Sequence, residues 1–413
     1  MDTTGLDHAR ALDAADPLRS FRDRFSMPDR DLVYLDGNSL GRPPLAAIDA
    51  VERVATREWA GELIRGWDHW LDAPSRIGDQ LAPIIGAGPG EVVVTDSTTV
   101  NLFRLASAAL DARPGRRAIG ISRSEFPTDR YVVEGLAEAR GLEIRWLEDD
   151  EIEGVGIADV ERVLDDDLAL LVLSHVNYRS AAIVNLAAIN HAARAAGTLV
   201  LWDLSHSGGA IPVGLTANGA DLAVGCTYKY LNGGPGAPAY LFVRRELQEA
   251  LRPPIQGWFA QAEQFEMGPR FEPRLGIAGW LVGTPGMLGL AAAETGIAIS
   301  AEAGIERIRA KGLALTGYAV ALLDAWLAPL GCTLGSPRDA VRRGNHVSVL
   351  HPDARRLTTE LIGRGVIPDF RAPNSIRLGL SPLTTSFEDV HRGLTAIRDL
   401  LAGRARRQRP AAR

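Results

Sequence analysis

The chain is almost without lysine: across its 413 residues, Lys229 and Lys311 stand beside 43 arginines. Arginine is the ordinary surface cation here, so each lysine needs its own reason. Cysteine is as scarce, with only Cys226 and Cys332. Two cysteines cannot make a disulfide framework, and they suit a reducing compartment. Neither lies in a Cys-x-x-Cys pair or a Cys/His cluster, which argues against a zinc site. An excess of positive charge is missing too, since the net charge is −6. That removes any general attraction to nucleic acid or to an anionic membrane. No apolar run nears the ~20 residues that span a bilayer. The opening MDTTGLDHARALDAAD has neither a basic start nor an apolar core, so it does not read as a signal peptide. These absences predict a cytoplasmic protein. The arginine-rich GRARRQRP near the C-terminus reads as a frayed, solvated tail rather than a binding arm.

What is present is the makeup of a globular protein, 46% hydrophobic and 23% charged, with length for two domains and a large core. Seven short apolar runs recur, at 91–95, 117–122, 142–147, 168–176, 198–206, 221–228 and 238–245. Most are too short for helices and are bounded by Gly, Pro or Asp, so they predict buried strands. Helical patterns separate them, as at 99–112, 129–141 and 185–197, the last two stopping at glycine. Strand–helix alternation with apolar strands predicts an α/β fold around a mainly parallel seven-stranded sheet covered on both faces. After about residue 300 a long helical stretch (304–331) meets alternating strands (345–351 and 375–381). The expected division is a large domain over 46–300 and a smaller α+β domain from 1–45 and 301–413.

Ligands of open α/β sheets sit beyond the carboxyl ends of the strands, and polar residues gather there. DSTTVN brings Ser97, Thr98 and Thr99 to a helix N-terminus, either an anion seat or a plain N-cap. SEFPTD carries Phe126, a flat stacking face or a core ring before a turn. WDLSHSGGA carries Asp203 and His206 just past an apolar strand, where a carboxylate needs a partner or caps a turn. TYKYLNGGPG places Lys229 at a strand end, where a buried amine shifts toward its neutral, nucleophilic form. Together these specify pyridoxal 5′-phosphate (PLP): a phosphate seat, a stacking ring, an acid for the pyridine nitrogen and an amine.

At these residues the chain resembles the PLP enzymes of the aspartate aminotransferase fold (fold type I), and within them the kynureninases. The motifs are YLDGNSLGRPP, ELIRGW, VVVTDSTTVNLF, FPTDRY, SHVNYRS, WDLSHSGGA, YKYLNGGPGAPAYLFV, GWF, GTP and FRAPNSIRLGLSPL, spread over about residues 33 to 390. The resemblance implies that Lys229 carries the cofactor, with Asp203 on its ring nitrogen, His206 in support and Phe126 stacked on the ring. It implies that Thr98, Thr99, Asp129, Ser174 and Tyr228 line the cofactor. Trp258 and Thr284 would reach it from a neighbouring subunit, which implies a homodimer. Arg377 would hold the substrate carboxylate, a task its planar fork suits. The implied reaction is hydrolysis of L-kynurenine or 3-hydroxykynurenine, with Tyr228 as the proton donor.

Departures from the family pattern fall at Ala181, Ala260, Gln261 and Thr384, where glycine, glycine, histidine and tyrosine are usual. They leave open a modified kynurenine or another γ-keto α-amino acid as substrate. A cysteine desulfurase-type relative, an aminotransferase and a non-catalytic homologue are the other readings. The intact Asp203 and Lys229 speak against the last.

Overall fold

The computed structural model describes residues 3–408. Its main sheet has seven strands: β2 (Val92–Val94), β3 (Ala118–Ser122), β4 (Glu143–Leu147), β5 (Leu168–Ser174), β6 (Leu199–Asp203), β7 (Leu222–Gly225) and β8 (Tyr240–Val243). Their order across the sheet is β2-β8-β7-β6-β5-β3-β4. Only β8 runs antiparallel to its neighbours. The strands end earlier than their apolar runs, because the polar residues that follow Ser174, Asp203 and Gly225 leave the sheet and form the site.

Burial on two faces explains the unbroken apolar strands. Val92, Val94, Leu171, Leu173, Val200 and Trp202 face one core. The alternate residues Val93, Leu170, Val172, Leu199 and Leu201 face the other. Helices Thr98–Asp111, Pro127–Arg140 and Leu186–Ala195 lie where the periodicity places them. Gly141 and Gly197 follow the last two in left-handed conformations, at φ 65° and 69°.

A second, antiparallel sheet holds β9 (Thr333–Leu334), β10 (His346–Leu350), β12 (Asp369–Arg371) and β13 (Ser375–Gly379). The early strand β1 (Val33–Tyr34) pairs in parallel with β11 (Val366–Ile367). The N-terminal segment is thereby stitched to the C-terminal part of the chain.

Two sequence expectations change. Ile305–Leu330 is long and apolar enough, by length and composition alone, to cross a membrane. It holds no unbroken apolar run, because charged residues such as Lys311 and Asp324 interrupt it. Leu315, Tyr318, Ala319 and Leu322 pack it into the core around β10 and β13, so it serves as a core helix here. The arginine-rich tail is also more ordered than expected, because the helix from Phe387 runs through Gln408. The rest of that motif lies outside the described residues.

Lys311 finds its reason in this part of the fold. Its ammonium lies 2.7 Å from Asp16, both side chains buried, at the base of a charged cleft of about 970 Å³.

Candidate active site

The carboxyl ends of β5 and β6 open into a cavity of about 360 Å³. Ser174 and Asp203 are register partners on those two strands, so parallel pairing sets them side by side. Around them the cavity gathers Thr98, Thr99, Phe126, Asp129, His206, Tyr228 and Lys229. Nine of the twelve expected site residues therefore meet at one place.

Thr98 and Thr99 begin the helix Thr98–Asp111, whose N-cap Ser97 accepts from the Val100 backbone N–H at 3.3 Å. Ser97 is the N-cap, and Thr98 and Thr99 line the cavity at the positive end of the helix. Phe126 leads into Pro127–Arg140, is 36% exposed, and meets Tyr178 edge-to-face at 5.3 Å. Its ring is thus a cavity wall and not a core ring.

Lys229 departs from the expectation of burial. It is only half-buried, because the strand stops at Gly225 and its side chain enters the cavity. Its Nζ lies 3.5 Å from His206 Nε2 and 5.9 Å from the ring centroids of Phe126 and Tyr228. His206 is driven well below the usual imidazole range, first by burial and then by the Lys229 charge. It is therefore neutral beside the amine. The Tyr228 phenol is pushed up by its Cys226 neighbour and by burial, which keeps its proton in place near neutrality.

The acidic floor is the least ordinary part. Asp203 Oδ1 accepts from the Ser205 N–H at 2.7 Å. Asp129 is 1% exposed, and its carboxyl faces Asp203 with no N–H or hydroxyl donor from the rest of the described residues. Burial, then the neighbouring Asp203 and Glu125, hold the Asp129 carboxyl well above the usual range. A buried carboxyl without a donor is costly, so this floor suits a bound group that brings an N–H or a positive charge.

Three expected residues stand apart from the cavity lining. Trp258 and Thr284 lie on exposed segments of the same chain. Arg377 is buried behind the Tyr178 backbone. It donates to Tyr178 O at 2.5 Å, to Ser39 Oγ at 2.9 Å and to Asp369, its register partner on β12. With its amide turned to suit both neighbours, Asn38 accepts from Arg377 Nε at 3.0 Å. None of the departures at Ala181, Ala260, Gln261 and Thr384 lines the cavity. Gln261, for instance, accepts from the Glu272 N–H at 2.8 Å in a local turn.

Glu125 was missed by the sequence reading. It is 5% exposed, accepts from Ser174 N at 2.8 Å and is hydrogen-bonded to Ser174 Oγ. Burial pushes its carboxyl up to about 7. Nothing in SEFPTD separates it from a solvated acid before a helix.

These residues fit PLP. The helix N-terminus suits its phosphate, Asp129 and the adjacent Asp203 suit its ring nitrogen, and Lys229 supplies the amine. Among the described residues no His/Cys/Asp/Glu group is arranged to hold a metal ion.

Solved structures share the fold. A cysteine desulfurase from Thermococcus onnurineus NA1 superposes with a TM-score of 0.81 at 19% identity, covering 93% of this chain and 98% of that one. A C-DES mutant with glycine covalently linked to its PLP cofactor gives 0.79 at 18%, covering 92% and 99%. The family model for the kynureninase C-terminal domain matches residues 308–397. Kynureninase from Pseudomonas fluorescens is 42% identical over 95% of this chain and 94% of its own. That from Burkholderia pseudomallei (strain 1106a) is 43% identical over 96% and 95%. With this identity along nearly the whole length, and an amine, an acidic floor and a helix N-terminus around one cavity, the chain belongs to the kynureninase family.

Proposed function

We propose that this chain uses PLP to hydrolyse the Cβ–Cγ bond of L-kynurenine or 3-hydroxykynurenine. The products are L-alanine and anthranilate or 3-hydroxyanthranilate. One observation carries the reading: in a chain of this family, Lys229 and the Asp129–Asp203 floor open into the same cavity, whose rim begins at a helix N-terminus.

When bound, PLP draws electrons from the bonds of the amino acid's α carbon through its protonated ring nitrogen. Thr98 and Thr99 would hold the phosphate, Phe126 the ring face, and Asp203 with Asp129 the ring N–H. Lys229 Nζ holds the cofactor and, once released, removes the α proton. Neutral His206, 3.5 Å away, lies within hydrogen-bond reach of that amine without adding a competing charge. Water supplies the oxygen of the departing aromatic acid. The phenol of Tyr228 returns a proton to the methylene carbon left by the cleaved bond. Arg377 would bind the α-carboxylate, exchanging one of its present partners for it.

None of the departures from the family pattern lines the cavity of this chain, although Ala260 and Gln261 share a turn with Trp258, so a modified kynurenine stays the second reading. Chemistry of the desulfurase kind would need a reactive thiol. Cys226 is buried, and burial raises its thiol. Cys332 is pushed by burial to about 11.

We read the protein as a cytoplasmic homodimer with domains at 46–300 and at 1–45 plus 301–413, acting on a small amino acid and not on nucleic acid or membrane. Exposed Trp59, Leu63, Ile64, Trp258, Phe265, Met267 and Leu275 support an apolar interface, across which Trp258 and Thr284 would complete the partner's site.

The test is an assay of PLP-loaded protein with each kynurenine, quantifying alanine and aromatic amine, with Lys229→Ala as control. Equal amounts of both products from wild type alone are expected. A cofactor spectrum that shifts without alanine release overturns the assigned reaction.

A further inference from the structure

Ser174 lines the cavity beside Asp203, yet both of its donors point away from the cavity. Its backbone N–H reaches Glu125 Oε1 at 2.8 Å and its hydroxyl bonds Glu125 Oε2. A serine hydroxyl has one proton and two lone pairs. With the proton committed to Glu125, as it is once that carboxyl is ionised, only lone pairs remain for a ligand. Glu125 is itself fixed. It is 5% exposed and opens the segment that leads through Phe126 to Asp129. Upstream, Ser122 Oγ donates to Asp149 at 2.6 Å and accepts from Ser124 N at 2.9 Å, so the loop cannot easily withdraw the carboxylate.

We propose that Glu125 is a positioning residue which turns Ser174 into a pure acceptor aimed at a donor, N–H or O–H, on the edge of the cofactor ring. This rests on the PLP reading above and adds to it a residue that never touches the cofactor. Ser174, Asp129 and Asp203 then form one acceptor wall, to which a neutral or cationic ring edge with its proton in place is complementary.

The proposal is tested by titrating apo protein with PLP and following affinity, the absorbance band of the bound cofactor and the pH dependence of that band. The variants are Glu125→Gln, Ser174→Ala and the double variant. In Glu125→Gln the new amide can donate to Ser174 Oγ and reverse its hydroxyl. Affinity should then fall about tenfold, as for a lost hydrogen bond to a polar partner, and the band should move. Ser174→Ala should do the same, and the double variant should be no worse than either single one. Unchanged affinity and spectrum in Glu125→Gln, or losses that multiply in the double variant, overturn the proposal. Circular dichroism of the apo proteins reports folding. If Glu125→Gln does not fold, Ser174→Ala decides alone, and normal affinity there overturns the proposal. A wild type that forms no bound-cofactor band overturns the PLP reading and this inference with it. A normal wild type with indistinguishable variants overturns only the inference.

Discussion

Glu125 stores a cost that pH reveals. Its carboxyl titrates near 7 in the folded chain against an ordinary 4.5, chiefly because it is buried. The folded state thus keeps a proton that the unfolded state gives up, and stability falls as pH rises from about 4.5 through about 7. Glu125→Gln removes that slope, so apo wild type should lose more melting temperature than the variant between those limits. Equal slopes in thermal melts would contradict it. A second residue under strain is Ala181, at φ 67°, where a Cβ crowds the backbone. Ala181→Gly should stabilise the protein by about 1 kcal/mol in urea denaturation without changing kcat. Legibility at this scale followed rarity. Lys229 could be found because lysine is nearly absent, and Asp203 because it closes an apolar strand. Glu125 could not, since its burial comes from β5, far off in sequence.

All seven strands of the main sheet were readable as elements, because burial on two faces leaves an apolar run bounded by polar residues. The segment Val54–Gly66 was not. It winds through π- and 3-10 turns, and Leu63 takes a positive φ of 56° that no pattern announced. Two pairings between elements lend themselves to measurement. Asp369 faces Arg377 across β12 and β13, so Asp369→Asn should loosen the guanidinium and raise KM for the amino acid about tenfold or more, with a smaller effect on kcat. A kcat loss with KM unchanged would show that the pair serves something else. Asp16→Ala would strand the buried Lys311 ammonium and should cost about 3–5 kcal/mol, read from the denaturation midpoint. Joint replacement of both by apolar residues should cost less.

For the molecule as a whole, exposed apolar side chains gather on Val54–Gly66 and on the segment holding Trp258 and Leu275, which is 85% exposed. Ile64→Asp should shift the protein toward monomer in analytical ultracentrifugation and weaken PLP retention together with it. A monomeric wild type would contradict the shared site. The sequence could indicate a partner only through resemblance, because an interface and a core draw on the same residues. The two lysines carry a last consequence, for chemical tagging. Lys311 is buried and ion-paired to Asp16 at the base of its cleft, while Lys229 is half-buried and opens to a cavity without such a partner. A small amine-directed reagent should therefore react first at Lys229 in the native fold. A lysine-specific protease cuts the denatured chain after 229 and 311 only. Reductive trapping of the cofactor should erase the first cut and leave the second, so loss of one cleavage reports occupancy of the site by fragment size alone.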